Sequence, residues 1–207
     1  MKTMTERQIR RREDILTAAR KLITELGYDG VTMRQLAKES GVAPKTLYHQ
    51  FQNKEKLLRA AVEERYRYLY RLIDEAEIER GIDRLYYILD AVSDTTEKNA
   101  DYARALRPLL TDPSTTGTFT EIRMNTYRKA IDQIASEGEF VDWVDVDMLN
   151  ALVYRQINPI LMRATERIPF RTFAKIDISL ILASVTIGYT HDKALEVAKA
   201  TQQELTS

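Results

Sequence analysis

The sequence predicts an all-α protein. Apolar residues recur at helical spacing along nearly the whole chain, and no run alternates apolar and polar residues between turn residues as a half-buried strand does. Gly and Pro number only 7 and 5 in 207 residues, and hydrophobic residues make up 44%, which excludes low-complexity and disordered classes. The length fits one or two domains.

The first predicted helix carries apolar residues on one face over residues 15–26. Thr5 and Gln8 have the spacing of a capping box ahead of this stripe, and Gly27 suits the end of a helix. We therefore expect a helix that begins near Thr5 and ends at Gly27.

Two short helices joined by a tight turn are predicted next. Thr32 and Gln35 repeat the capping-box spacing and begin one helix, while Pro44 suits the first turn of the other because its missing N–H would be unpaired there. Gly41 lies between them and can take the positive φ that a sharp turn needs. Over about residues 32–51, this is a helix-turn-helix pattern.

A long fourth helix is predicted over residues 54–79, with Asn53 as its N-cap and Gly81 as the break that ends its apolar stripe. At about 1.5 Å per residue it is long enough to join two domains. Further helices are predicted near 82–98, 99–111, 118–137, 145–167 and 172–189, with an amphipathic tail over 192–205.

The composition excludes several classes of function. The chain has no Cys and only two His, so disulfides, thiolate or zinc sites and histidine-centred triads lack their residues, and no phosphate loop or dinucleotide fingerprint is present. We expect no catalytic site, no metal and no cofactor. The polar N-terminus is not a secretory signal, and the longest apolar stretch, residues 178–189, is shorter than the roughly 20 residues of a membrane span. A soluble cytoplasmic protein is predicted.

The formal charge of zero is the sum of two unlike regions. Residues 1–60 hold 13 Lys+Arg and 7 Asp+Glu, whereas residues 61–207 hold 18 and 24. Such an asymmetry is typical of a protein with a nucleic-acid-binding end. The basic region is the one that contains the helix-turn-helix pattern.

The basic region resembles the TetR family of bacterial transcriptional regulators in three runs: TMRQLA from Thr32, GVAPKTLYHQF from Gly41 and NKEKLL from Asn53. Together with the first helix, the resemblance covers about a quarter of the chain. It implies a DNA-binding domain over residues 9–69 and a C-terminal ligand-binding and dimerisation bundle over residues 70–207, joined by the long helix.

The resemblance also implies which residues contact operator DNA. They lie at the start of the second helix, along the third and at the start of the fourth: Thr32, Arg34, Lys45, Thr46, Tyr48, His49 and Lys54. Lys, Thr and Tyr side chains can donate to phosphate oxygens, and Lys45 can reach guanine acceptors. We expect Tyr48 to point outward, whereas His49 could equally be a solvated surface residue. For the basic segment over residues 7–12, a frayed, solvated terminus is favoured over DNA contact.

For the C-terminal bundle, the resemblance implies a cavity for a small-molecule effector, which we expect to be partly apolar or aromatic. Aromatic residues at helical spacing are usually core, so a packing role stays open for each candidate. Arg155 is the expected anchor for an anionic group. The candidate ligand-binding residues are Tyr66, Tyr70, Tyr86, Leu89, Tyr102, Leu106, Phe119, Tyr127 and Arg155.

Helices near 145–167 and 172–189 are the predicted dimer surface, because the second is apolar nearly all round and has to be buried on two sides. The resulting hypothesis is a homodimeric repressor of the bacterial cytoplasm that binds palindromic double-stranded operator DNA, becomes nucleoid-associated when bound, and is released by its effector. The alternative hypothesis is a helical ligand-binding or enzymatic bundle with a vestigial DNA-binding head.

Overall fold

The structure of the 207-residue chain is a computed structural model that describes residues 5–106, 113–162 and 169–206, with the side chains of 113–120, 156–162, 170 and 206 left out. Within these ranges the chain forms helices and, in place of any sheet, one isolated antiparallel bridge between Phe140 and Thr186. The all-α prediction is confirmed. The helices are α1 (Glu6–Gly30), α2 (Met33–Ser40), α3 (Pro44–Phe51), α4 (Lys54–Asp74), α5 (Gly81–Lys98), α6 (Ala100–Ala105), α7 (Pro113–Ser136), α8 (Val146–Met162), α9 (Phe170–Val185) and α10 (Gly188–Thr206).

The helix starts near the N-terminus follow the predicted capping signals. Thr5 and Thr32 are N-caps, and each forms both hydrogen bonds of a capping box with the Gln three residues later. Pro44 is the first residue of α3. At the start of α4, Asn53 Oδ1 accepts a hydrogen bond of 2.8 Å from the Lys56 backbone N–H. Side chains thus satisfy N–H groups that would otherwise lack partners within these helices.

Gly27 interrupts α1 as predicted: it is non-helical, with φ 73° and ψ 163°, and a short helical stretch follows it as far as Gly30. The predicted end of the fourth helix is wrong. Helix α4 ends at Asp74 and not at residue 79, and Gly81 begins α5. Apolar spacing continued past Asp74 to Ala76, and periodicity alone did not locate the helix end. No helix in the described ranges has the length and apolar character of a membrane span.

The chain divides into two compact units, Met1–Leu69 with Asn99–Phe119, and Tyr70–Lys98 with Thr120–Ser207. In the first unit, α1 packs against α2 and α6, and α2 packs against α3. Its core is built from fully buried residues of α1 to α4 and from one residue that follows α6: Ile15, Leu16, Ile23, Leu36, Leu47, Leu57, Leu58 and Leu106. Helix α6 and Leu106 therefore pack with the N-terminal helices, although both follow residue 69 in the sequence.

The second unit is a helical bundle centred on α9. This helix packs against α5, α8 and α10 and buries Ala174, Ile178 and Leu182 on its inner side. The remaining core comes from α5, α7 and α8, whose buried residues include Ile82, Leu85, Leu89, Tyr127, Ile131, Ile134 and Val153. Burial of these side chains removes apolar surface from water, which supplies most of the folding free energy of such a unit.

Candidate nucleic-acid interface

The turn between α2 and α3 sets the angle between these two helices. Gly41 has φ 65° and ψ 23°, in the left-handed region that glycine adopts without steric cost. The next N–H, of Val42, donates to the Ala37 carbonyl at 3.2 Å. The Val42 side chain is half-buried and packs against the core of the first unit. The turn is therefore held by backbone hydrogen bonds on one side and by apolar packing on the other.

Helix α3 has an inner and an outer face. Leu47 and Phe51, one turn apart, are buried in the core, whereas Lys45, Tyr48 and His49 are exposed. Tyr48 is 52% exposed, so its outward orientation is as predicted. Thr46 is half-buried. The outer face thus presents a cation, a phenol and an imidazole on a helix whose inner face is fixed.

The start of α2 presents a second set of predicted DNA-binding residues. Thr32 and Arg34 are both exposed. The Thr32 hydroxyl, however, donates to Gln35 Oε1 at 2.6 Å and accepts from the Gln35 backbone N–H at 3.3 Å. Thr32 therefore has a structural role as N-cap, and Arg34 is the residue here whose side chain extends into solvent.

At the start of α4, Lys54 is half-buried and its Nζ donates to the Asp29 carbonyl at 3.3 Å. This hydrogen bond links the first residue of α4 to the end of α1. The N-terminus of a helix carries a partial positive charge and is a favourable place for a phosphate. Lys56, two residues further, is exposed, and its Nζ donates to Gln52 Oε1 at 2.5 Å.

The basic segment over residues 7–12 is helical and not frayed, because α1 begins at Glu6. Arg7, Arg10 and Arg11 are exposed on its first turns, whereas Arg12 is half-buried. The Arg12 guanidinium carbon lies 4.8 Å from the centroid of the Phe51 ring. The expected fraying is therefore wrong, because the helix that the Thr5 cap begins includes these residues, whereas Arg7, Arg10 and Arg11 are solvated as expected.

The helix-turn-helix and its flanking helices match a known family. The profile described as bacterial regulatory proteins of the tetR family matches residues 15–61, which run from the core of α1 into α4. Over residues 15–61, this chain is similar to the TetR family. The resemblance predicted from the three sequence runs is thereby confirmed.

Known proteins similar to this chain extend the comparison. The HTH-type transcriptional regulator UidR of Escherichia coli K12 is 33% identical over 88 residues, which are 42% of this chain and 43% of UidR, so the match spans less than half of that relative. SmeT, the repressor of the Stenotrophomonas maltophilia multidrug efflux pump SmeDEF, superposes with a TM-score of 0.73 at 15% identity, over 86% of this chain and 92% of SmeT. FadR of Bacillus subtilis, solved in complex with stearoyl-CoA, superposes with a TM-score of 0.66 at 19% identity, over 82% of this chain and 96% of FadR. The two structures establish a shared fold.

Four of the predicted ligand-binding residues are buried in the second unit: Tyr70, Tyr86, Leu89 and Tyr127. The Tyr86 hydroxyl lies 2.7 Å from the hydroxyl of Ser179, which is also buried, so the two share a hydrogen bond. Burial raises the pKa of Tyr86 to about 12, because the phenolate would lose its hydration. Tyr86 is therefore a neutral, hydrogen-bonded group inside the bundle.

The other predicted ligand-binding residues lie elsewhere. Tyr66 and Tyr102 are half-buried against the core of the first unit, and Leu106 is part of that core. Arg155 is exposed, so it is not an anchor inside the bundle. The side chain of Phe119 lies outside the described residues. Spacing predicted that these aromatic and apolar residues face a core, but it did not predict which of the two cores.

Sequence reasoning missed Arg123 in α7, which is 1% exposed. Its Nη2 donates to the Tyr154 hydroxyl at 3.4 Å, and its guanidinium carbon lies 5.8 Å from the centroid of the Tyr154 ring. A signal was present in the sequence, since Arg123 precedes the buried Tyr127 by one turn and Ala130 by two turns on the same helix face. An arginine on the apolar stripe of a helix is a candidate for an internal polar site.

Proposed function

We propose that this protein is a homodimeric, TetR-family transcriptional repressor of the bacterial cytoplasm, and that it binds a palindromic operator through α2, α3 and the start of α4. One observation carries this proposal: Lys45, Tyr48 and His49 lie on the outer face of a short helix whose inner face, through Leu47 and Phe51, is anchored in a dry core. A helix held in this way can enter the major groove without rearrangement of the head.

Charge and chemistry support separate roles along this surface. The first 60 residues carry the excess of Lys and Arg, which favours a polyanionic partner. Lys45, near the N-terminus of α3, is suited to guanine O6 and N7 in the groove. Tyr48 and Lys54 are suited to phosphate oxygens on either side, and a dimer would place two such heads about 34 Å apart along the duplex.

Fluorescence anisotropy of the full chain on a duplex selected from a random DNA pool tests this proposal. Lys54→Ala is expected to weaken binding to every sequence and to lower the slope of log K against log salt by about 1, because one phosphate contact is lost. Tyr48→Phe should also weaken binding uniformly. Lys45→Ala should instead relax the preference at one operator position, and Lys199→Ala, an exposed lysine of α10, is the matched control.

Two results would contradict the assignment. Identical behaviour of the three head variants would mean that base and phosphate contacts have been misassigned. An absence of sequence preference at every salt concentration would favour the alternative, a ligand-binding or enzymatic bundle with a vestigial head.

The proposed dimer forms through the outer faces of α8 and α9. Leu152 on α8, and Phe173 and Leu180 on α9, are large apolar residues that remain exposed in the single chain, with Leu180 at 55%. Exposed apolar residues on adjacent, packed helices are typical of a symmetric homodimer interface. A second copy would bury this surface in a four-helix contact.

The proposed effector binds in the second unit, among the buried polar groups of α5 and α7. Arg123 supplies the positive charge that was expected from Arg155, and Tyr86 and Tyr127 supply buried phenol groups. The stearoyl-CoA bound to FadR supports a small-molecule role for a bundle of this fold. The effector would release the operator to the extent that it binds the DNA-free arrangement more tightly than the DNA-bound one.

A thermal-shift screen of partly apolar small molecules, followed by anisotropy with each hit, tests the effector proposal. A true effector should raise the melting temperature of the wild type and lower its operator affinity, and Arg123→Met should abolish both responses while operator affinity without effector is retained. Arg155→Met is the matched control. If saturating hits leave operator binding unchanged, the release mechanism is wrong.

A further inference from the structure

Arg12 of α1 contacts α3 through a cation–π interaction with Phe51 and not through an ion pair. The Arg12 guanidinium lies over the ring of Phe51, at 4.8 Å from the centroid, and Phe51 is the last residue of α3. Phe51 is 5% exposed, so the ring is held in the core and cannot follow the arginine outward. This contact therefore restrains the Arg12 side chain relative to α3.

Stacking of this kind leaves the hydrogen-bonding capacity of the guanidinium intact. The contact with the Phe51 ring is a cation–π contact and not a hydrogen bond to an acceptor atom, and the guanidinium has five N–H donors in its plane. No hydrogen-bond acceptor and no carboxylate is paired with Arg12 anywhere in the described ranges. In contrast, Arg20 lies 3.6 Å from Glu64, and Arg59 lies 2.9 Å from Glu63. Arg12 thus keeps an uncompensated charge and a set of outward donors.

The Phe51 ring that Arg12 contacts belongs to the junction between α3 and α4. The Asn53 N–H donates to the Phe51 carbonyl at 2.9 Å, so the chain turns tightly after Phe51 before α4 begins at Lys54. Arg12 thus contacts the last residue of α3, and α4, whose first turn carries a partial positive charge, begins three residues later in the chain. The Arg12 charge and this partial charge both favour an anion, and a planar fork of donors matches two oxygens of one phosphate.

We propose that Arg12 binds a backbone phosphodiester of the operator next to the start of α4, and that Phe51 positions its guanidinium for this contact. The proposal rests on the operator binding proposed above and adds a residue of α1 to the DNA-binding surface. Because Phe51 already restricts the side chain, less conformational freedom is lost on binding than for a freely moving surface arginine.

The test compares three variants of the full chain on the selected operator and on an unrelated duplex, at salt concentrations from about 50 to about 200 mM. Arg12→Met keeps an unbranched apolar stem on the Phe51 ring but removes the charge. Arg11→Met removes the same charge from the exposed neighbouring position. Arg12→Lys keeps the charge but loses the planar fork. Far-UV circular dichroism melts check that each variant remains folded.

Arg12→Met is expected to weaken binding to both duplexes about tenfold, as for the loss of one charged hydrogen-bonding contact, and to lower the salt slope by about 1. Arg11→Met should stay within about threefold of wild type, and Arg12→Lys should retain the salt slope with an intermediate affinity. Equal affinity and slope for Arg12→Met and Arg11→Met would overturn the proposal, as would a weaker affinity with an unchanged slope. Failure of the proposed function would give a different result, namely equal binding of the wild type to the two duplexes. In that case the salt slopes of the Arg12 and Arg11 variants on the unrelated duplex would still test the phosphate contact of Arg12.

Discussion

A close backbone contact in the second unit leads to a testable expectation for Gly81. This residue begins α5 directly against α7, and its N–H donates to Glu137 Oε1 at 2.8 Å. A Cβ built on Gly81 would lie 2.6 Å from the Ile134 backbone nitrogen and from Ile134 Cγ1, and 2.7 Å from the Ala130 carbonyl oxygen. Ordinary van der Waals contacts are 3.4–4 Å. Gly81→Ala therefore requires the two helices to separate by about 1 Å at this point.

The cost follows from what the methyl group meets. Two of the three contacts are backbone atoms of α7, which cannot change rotamer to make room, so the strain has to be taken up by a shift of the helix. Overpacking of this kind destabilises a protein by about 1–3 kcal/mol, and we expect about 2 kcal/mol for Gly81→Ala. For a chain of this length, that corresponds to a fall in melting temperature of about 4–8 °C.

Thermal unfolding followed by far-UV circular dichroism measures this change. Gly138→Ala is the comparison variant, because Gly138 has φ 71° and no atom within 4 Å of a built Cβ, so it tests backbone strain without a clash. We expect about 1 kcal/mol for that strain alone. If Gly81→Ala unfolds at the wild-type temperature, or falls no further than Gly138→Ala, the close approach of α5 to α7 does not limit the packing and the reasoning is wrong.

Two further predictions concern the second unit. Leu180→Glu should convert the dimer to monomer in analytical ultracentrifugation, because it places a charge in the proposed apolar interface. The control Leu205→Glu, at an exposed leucine of α10, should leave the dimer intact. Equal masses for the two variants would exclude α9 from the interface. The pKa of Tyr86 in the folded protein, about 12, exceeds the ordinary value of 10.0, so on raising the pH the unfolded chain loses this proton first. The free energy of unfolding should therefore fall by about 2–3 kcal/mol from its value below pH 10.0 as the pH rises through about 12. Urea unfolding over this range should show a smaller fall for Tyr86→Phe, and an equal fall would mean that another group titrates.

The head was predictable because its signals are local. A capping box is completed within four residues, as at Thr32, and the left-handed turn needs only a glycine at Gly41. The inner and outer faces of α3 follow from the one-turn spacing of Leu47 and Phe51. None of these features depends on a distant part of the chain, and each was therefore readable before any tertiary contact was known.

The assignment of helices to one core or the other was not predictable in the same way. Periodicity shows that one face of a helix is apolar, but it does not identify the surface that covers this face. Tyr102 and Leu106 have an apolar pattern that would suit either unit, and the structure places them with the head. The boundary of a unit that is discontinuous in sequence is set by contacts between distant residues.

The two arginines of the second unit show the same limitation for the candidate ligand site. Arg155 is predicted as the anchor because it is a charge within a predicted helix, yet it occupies an exposed position on α8. Arg123 also lies within a helix, one turn before Tyr127 on the buried face. The position of a charged residue relative to the apolar stripe is therefore more informative than its presence within a helix. Applied to α7, this criterion selects Arg123 for mutagenesis ahead of every residue that was chosen for its aromatic character alone.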